Sequence, residues 1–431
     1  MEQKLLRQEI ELLRNLGRRV SEISNDPKWK EKEQLWKDKS SLKKMRPLIL
    51  CGLDVNGWNE IVPPETLKIS QPLFKQYEKM MKRQIYRYKH FNDDGIIENK
   101  IYVPYIIYRR DWVDNRMRPL DPRPDHSAKF TPCIIEMSDF KKMRFPTFEY
   151  DEDATLKRFD YVQEVFGDTM DVHLGEPFSV YTEIEIRGQG IIDLWCELRG
   201  METVFWDLHD EPSFTKEAMH FLQEGIIQYL RKFEELGLLR LNNTPYSNIA
   251  MSEHSATGPN GLGCTDELPG EDWNGKKVRL KDIWGFQEAQ EFTVVSAEML
   301  EEFVLPYQAP VAELFGLNSY GCCENNDKKW DVIPKYIPRL RNLSLPFSCD
   351  IQIAAEKLKD KYVLCRKKKP VDLLFNASRD ELLQEIRAEM EVLKDCHMVF
   401  ALKDVETLFG DISSPELWTE VAMELAMEYE Y

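Results

Sequence analysis

The sequence predicts an α/β chain, a (β/α)8 TIM barrel with an N-terminal helical extension and insertions at its catalytic face. Three observations predict it. From Pro47 onward, short apolar runs alternate with long amphipathic stretches, the pattern of βα units that build a parallel sheet. Eight or nine such runs fall between Leu48 and Leu402, close to the number a closed barrel needs. No Gly-rich phosphate loop follows any of them, which sets the doubly wound open sheet in second place.

The elements follow in order. Residues 1–24 repeat Leu5, Ile10, Leu13, Leu16, Val20 and Ile23 at helical spacing, and Asp26-Pro27 opens a second charged helix ending near Lys44. Residues 1–46 therefore read as a helical extension, either a dimer arm or a hairpin covering the barrel bottom. Residues 47–431 read as the barrel. A chain starting near Lys44 is expected to stay folded. Strands are expected over Leu48–Leu53, Ile101–Tyr108, Pro177–Ile186, Leu236–Leu241, Ile283–Thr293, Leu314–Tyr320, Leu343–Phe347, Tyr362–Cys365 and Met398–Leu402. Helices are expected between most of them, among them Phe214–Leu236, Ser296–Phe315 and Lys329–Arg341. Ser378–Lys394 begins with a capping-box spacing, Ser378 to Glu381. Residues 109–160 and 242–281 interrupt the pattern. The second is a long Gly/Pro/Asn loop following a strand, where barrels place catalytic loops.

Composition narrows the partners. The chain carries 58 basic and 75 acidic residues, a net charge of −17, and that field opposes binding to nucleic acid or an anionic membrane. No apolar run reaches the roughly 18 residues of a transmembrane helix, and the charged start lacks the apolar stretch of a signal peptide. Nine cysteines without a CxxC pair read as reduced thiols of a cytoplasmic protein.

The sharpest local feature is Asn318-Ser-Tyr-Gly-Cys-Cys-Glu-Asn-Asn326, which closes an apolar run and so emerges at the expected catalytic mouth. Cys322, Cys323 and Glu324 offer thiolate and carboxylate ligands that suit zinc, and Cys349 closes the next run as a further candidate ligand. The competing reading is two small thiols packing the strand end. His254, in the long polar loop, is a candidate general acid or base. Trp284, Gln287 and Glu288 form an aromatic, amide and acid cluster at a strand end, with Glu288 as a catalytic candidate. Glu183 and Glu185 share one face of their expected strand, and carboxylates pointing into a barrel need a ligand. Asn242 and Tyr320, also at strand ends, complete the candidate substrate-binding set with Trp284 and Gln287. Arg366-Lys-Lys-Lys369 reads as a solvated turn, with a local patch for an acidic partner or substrate tail as the alternative.

Asp193-Leu-Trp-Cys-Glu-Leu-Arg-Gly-Met-Glu202, running on to Glu211-Pro212, resembles a barrel segment of the uroporphyrinogen decarboxylase superfamily. Val295-Ser-Ala-Glu-Met-Leu-Glu-Glu-Phe-Val-Leu-Pro-Tyr307 resembles a helix of the same superfamily. Tyr320-Gly-Cys-Cys-Glu324 falls where its cobalamin-dependent methyltransferase branch begins a zinc site. Roughly residues 160–425 are covered. The resemblance implies methyl transfer between a small methylated substrate or thiol and a corrinoid carried by a partner protein. It also implies zinc assistance and a possible homodimer. The chain departs from that pattern where Tyr320 or Gly321 replaces the expected histidine. The N-terminal arginine motif of the tetrapyrrole decarboxylase is replaced by Leu50-Cys-Gly-Leu-Asp-Val-Asn-Gly57. A decarboxylase or other lyase on a small carboxylated substrate, and a non-catalytic binding subunit, are the alternatives.

Overall fold

The computed structural model describes residues 4–114, 120–122, 128–179, 190–245, 257–371 and 377–429. Its centre is a six-stranded sheet built from β1 (Leu48–Leu53), β2 (Trp284–Gln287), β3 (Leu317–Tyr320), β4 (Leu340–Leu345), β5 (Val363–Lys368) and β6 (His397–Val405). Every neighbouring pair is parallel, in the order β1-β6-β5-β4-β3-β2. Successive strands are neighbours and the last lies beside the first, so all C-terminal strand ends share one edge of the molecule. Among the described residues, no ladder joins β1 to β2.

The two open edges are finished by side chains. On β1, Ile49 N–H donates to Asp94 Oδ2 and Cys51 N–H to Asp93 Oδ2, both at 2.8 Å. The Arg46 guanidinium holds Asp94 from the other side at 2.8 and 2.9 Å. Carboxylates thus supply the acceptors a further strand would have offered. Beside β2, Leu236–Leu241 is not a strand. Asn242 instead accepts from Trp284 N–H at 2.9 Å and donates to the carbonyls of Trp284 and Phe178 at 3.1 and 2.7 Å. Its amide thus splices the chain into the sheet edge.

The period-two alternation sorts the strand residues onto two faces. Ile49, Cys51, Leu364, Met398, Phe400 and Leu402 pack with the apolar stripes of the helices Arg379–Leu393 and Ser414–Met427. Leu48, Leu50, Val363, Cys365, Val399 and Ala401 face a second core, shared with Trp36, Leu262 and Cys264. We call these the outer and the enclosed face. The helices α1 (Arg7–Ser24) and α2 (Lys28–Ser40) form as their spacing predicts. Leu13, Val20, Ile23, Trp29 and Trp36 are nevertheless buried in the same core as β1, β5 and β6. The indole of Trp36 donates to the Asp94 carbonyl, so α2 closes the N-terminal end of the sheet. The expectation that a chain starting near Lys44 stays folded does not fit this packing.

Proline accounts for two further differences. The helix expected over Ser296–Phe315 is broken at Val304, ahead of Pro306, into Ala297–Phe303 and Leu305–Ala312. The helix expected over Lys329–Arg341 is reduced to Ile333–Tyr336, bounded by Pro334 and Pro338. The run Ile101–Tyr108 is split around Pro104 into Lys100–Val103, parallel to Asp171–Leu174, and Ile107–Arg110, antiparallel to Thr147–Tyr150.

Of the long loop, residues 242–245 and 257–281 are described. Its residues 257–264 are buried against the enclosed face. Asn260 Nδ2 donates to Ser319 Oγ at 2.9 Å and to the Gly321 carbonyl at 3.0 Å, and the Trp284 indole donates to the Gly263 carbonyl at 2.8 Å. A Cβ on Gly261 would meet the Trp36 ring at 2.9 Å with φ at +106°, so only glycine fits where the loop passes that ring. Loop backbone therefore packs directly against this face of the sheet.

Candidate functional site

Polar groups gather where β3, β4, β5 and β6 end on the enclosed face. Gly321 leaves β3 with φ at +90°, and a Cβ there would meet Ser344 at 3.3 Å. This turn lays the Cys322 carbonyl over β4 and β5, where Ser344 Oγ and Lys367 Nζ each donate to it at 2.5 Å. Lys367 Nζ also stands 4.0 Å from Cys322 Sγ. The two sulfurs, Cys322 Sγ and Cys323 Sγ, are 3.5 Å apart. Cys323 Sγ reaches Asp404 Oδ2 at 3.9 Å. Of the nine cysteines, eight are buried and Cys323 alone is exposed, so it is the thiol a substrate can meet.

Asp404 owes its position to a bulge. Cys51 pairs with Leu402 and Leu53 with Val405, so Gly52 opposes both Lys403 and Asp404. Asp404 takes φ at +59°, an uncommon conformation for a residue with a side chain, and one that turns it toward Cys323.

Arg366-Lys-Lys-Lys369 is not a solvated turn. Arg366, Lys367 and Lys368 continue β5 and are buried. Alternation splits them. On the outer face Arg366 donates to Glu389 at 2.9 Å and Lys368 to Glu385 at 2.6 Å, one helix turn apart. On the enclosed face Lys367 is left for the cysteines. Burial alone would lower the Lys367 pKa, but Cys322, Cys323 and Asp404 outweigh it and raise it, so the ammonium stays charged. The hydrogen bond to Cys322 draws the Cys323 thiol down from its ordinary value, with Lys367 adding to the effect against burial and the negative charges of Asp404 and Glu324. The same bond, with burial, pushes the Cys322 thiol well up.

The remaining candidates are placed as follows. Glu324 belongs to the turn: its Oε2 accepts from Cys322 N–H at 2.7 Å and its Oε1 from Ala289 N–H at 3.2 Å. Glu288 adjoins this turn and adds negative charge near both Cys322 and Tyr320. Tyr320 and Gln287 are buried, and Tyr320 sits in the outer-face core, its hydroxyl raised well above the ordinary value by burial, Glu324 and Asp193. Alternation with Ser319, which meets Asn260, puts Tyr320 away from the mouth. Asn242 and Trp284 spend their polar groups on the sheet edge and the long loop. Cys349 lies in the turn after β4, its thiol pushed up to about 12 by burial. His254, Glu183 and Glu185 lie outside the described residues.

These donors do not fit a zinc site. Among the described residues no three of His, Cys, Asp and Glu come together as ligands. Both Glu324 oxygens are committed to backbone N–H groups, and the Lys367 ammonium already lies 4.0 Å from Cys322 Sγ. No step is therefore assigned to zinc. The sequence gives no sign of Ser344, and Lys367 is masked by a charge run that reads as a solvated turn, although Val363, Cys365 and Lys367 stand at strand spacing.

No family model matches the chain, and no curated protein matches it. A solved structure of a methyltransferase from Methanosarcina mazei aligns over 91% of this chain and 98% of that one, with 9% identity and a TM-score of 0.48. No helix among the described residues is long and apolar enough to cross a membrane.

Proposed function

We propose that the protein is a methyltransferase of the (β/α)8 barrel class, moving a methyl group between a small methylated substrate or thiol and a corrinoid carried by a partner protein. The observation that carries the reading is the single exposed thiol, Cys323, at the C-terminal end of a parallel sheet, 3.9 Å from Asp404 and next to Cys322, whose sulfur lies 4.0 Å from Lys367 Nζ. The order of the strands, with β1 beside β6, supports the barrel class. The likeness of residues 193–212, 295–307 and 320–324 to the uroporphyrinogen decarboxylase superfamily supports the chemistry.

In this reading Cys323 is the general acid and base. As the methyl leaves a substrate heteroatom, the thiol gives that atom its proton, and the resulting thiolate is stabilised by Lys367. In the reverse direction the thiolate takes the proton of an acceptor thiol as the methyl arrives. A thiol whose pKa is lowered toward neutrality suits both roles. The corrinoid would supply the cobalt centre that accepts or donates the methyl group. Its carrier would dock on the mouth, where Val55, Val294, Phe347, Val371 and Phe409, each following a different strand end, are exposed.

The test offers methylcobalamin as free corrinoid together with a small thiol, and follows loss of the methylated form. The protein is expected to accelerate that loss, and Cys323→Ser to slow it by roughly 100-fold. A rate no faster than buffer, or an unchanged rate in the variant, would remove the reading.

A further inference from the structure

We infer that Cys322 and Cys323 form a redox-sensitive dithiol that small disulfides oxidise to a vicinal disulfide, closing the mouth to chemistry. The inference concerns the thiol used in the methyl-transfer reading, and rests on that reading only for what closure does to turnover.

Geometry carries it. The two sulfurs already lie 3.5 Å apart, so bonding at about 2.05 Å needs only about 1.5 Å of approach. One sulfur is exposed and the other buried behind it, which separates an attacking thiol from a resolving one. The turn that carries them is anchored at the Cys322 carbonyl by Ser344 and Lys367, and at the Cys322 N–H by Glu324, which holds the two sulfurs together at the strand end. The fixed ammonium of Lys367, 4.0 Å from Cys322 Sγ, stabilises the resolving thiolate as it forms.

The chemistry is thiol–disulfide exchange. Cys323 thiolate attacks a small disulfide, forming one mixed S–S bond and expelling one small thiolate. Cys322 loses its proton to solvent and attacks Cys323 Sγ, expelling the second small thiolate. Two protein thiols are oxidised by two electrons in all, and one small disulfide is reduced to two thiols after protonation. Adjacent Cα atoms are about 3.8 Å apart across a trans peptide, closer than the roughly 4.4 Å of ordinary disulfides. The ring is therefore strained, and excess thiol reopens it, as a switch requires.

The experiment treats the full-length protein with oxidised glutathione, traps free thiols with an alkylating agent, and maps the peptide carrying Cys322 and Cys323 by mass. The expected peptide is unalkylated, free of glutathione and lighter by two hydrogens, and dithiothreitol restores both alkylation sites. In Cys322→Ser the same treatment should leave a stable glutathione adduct on Cys323. A wild-type peptide that remains doubly alkylated, or that stops at the glutathione adduct, would overturn the inference. Because the readout is mass, closure in a protein that transfers no methyl group would sustain the dithiol and remove only the methyl-transfer reading. Full methyl transfer by a pair that never closes would do the reverse.

Discussion

Two buried lysines stand at opposite ends of the sheet, and burial treats them alike while their neighbours do not. Lys39, on α2 at the closed N-terminal end, is 1% exposed and donates to the Arg46 carbonyl at 3.2 Å. Burial, reinforced by the Arg46 guanidinium, lowers its pKa from 10.5 to about 7. Lys367, at the open end, is also 1% exposed, yet the thiolate forms of Cys322 and Cys323, together with Asp404, raise its pKa above 10.5. A buried ammonium survives only where anionic partners offset its lost hydration. The closed end spends a lysine on structure and tolerates its neutral form. The mouth keeps a charged one, which is what a thiolate site needs.

The largest effect that could break this contrast is on the closed end itself. Removing residues 1–44 uncovers the core that Trp36 shares with Val399 and Leu48, and is expected to abolish cooperative unfolding in a denaturant titration. Retained cooperativity would show that α1 and α2 are an appendage. Lys367→Met comes next. It removes the hydrogen bond to the Cys322 carbonyl and the buried charge near Cys323 and Asp404, and should cost about 1–3 kcal/mol at pH 7 by the same titration. The stabilisation it removes is present below pH 10.5 and is lost as the pH rises through the raised folded-state value. Lys39→Met should act in the opposite direction, stabilising by roughly 1–3 kcal/mol at pH 7. Between pH 7 and 10.5 the unfolded chain holds the Lys39 proton more tightly than the folded one, so wild-type stability gains on the variant as pH rises across that window. Two lysine-to-methionine changes of the same sign would dissolve the comparison.

The two ends also differ in how far the sequence discloses them. The helical period of residues 1–24 and the strand Leu48–Leu53 are plain, because each repeats one kind of contact along its length. What the sequence hides is which elements share a core: nothing local says that Trp36 ends beside Val399. At the mouth, Cys322, Cys323 and Glu324 stand out as residue types, and Glu288 lies next to their turn. Their partners do not stand out. Lys367 is hidden in a charge run whose alternation shows only once β5 is known to continue through it. Asp404 depends on a bulge opposite Gly52, and Tyr320 faces away from the mouth through the one-residue parity of its strand. The long loop stands out as Gly-, Pro- and Asn-rich, but the sequence does not say that Gly261 passes Trp36 and Gly258 passes Phe286 on the enclosed face.

The most direct test of the central claim, that the mouth holds a thiol poised by a charged lysine, is the pH dependence of Cys323 alkylation by iodoacetamide, read by peptide mass in the wild type and in Lys367→Met. The wild-type rate should reach half its maximum below pH 9.0, the ordinary thiol value, because the bond to Cys322 and the Lys367 charge both favour the thiolate. In Lys367→Met the midpoint should move up. A wild-type midpoint at or above 9.0, or a midpoint indifferent to the loss of Lys367, would contradict the account.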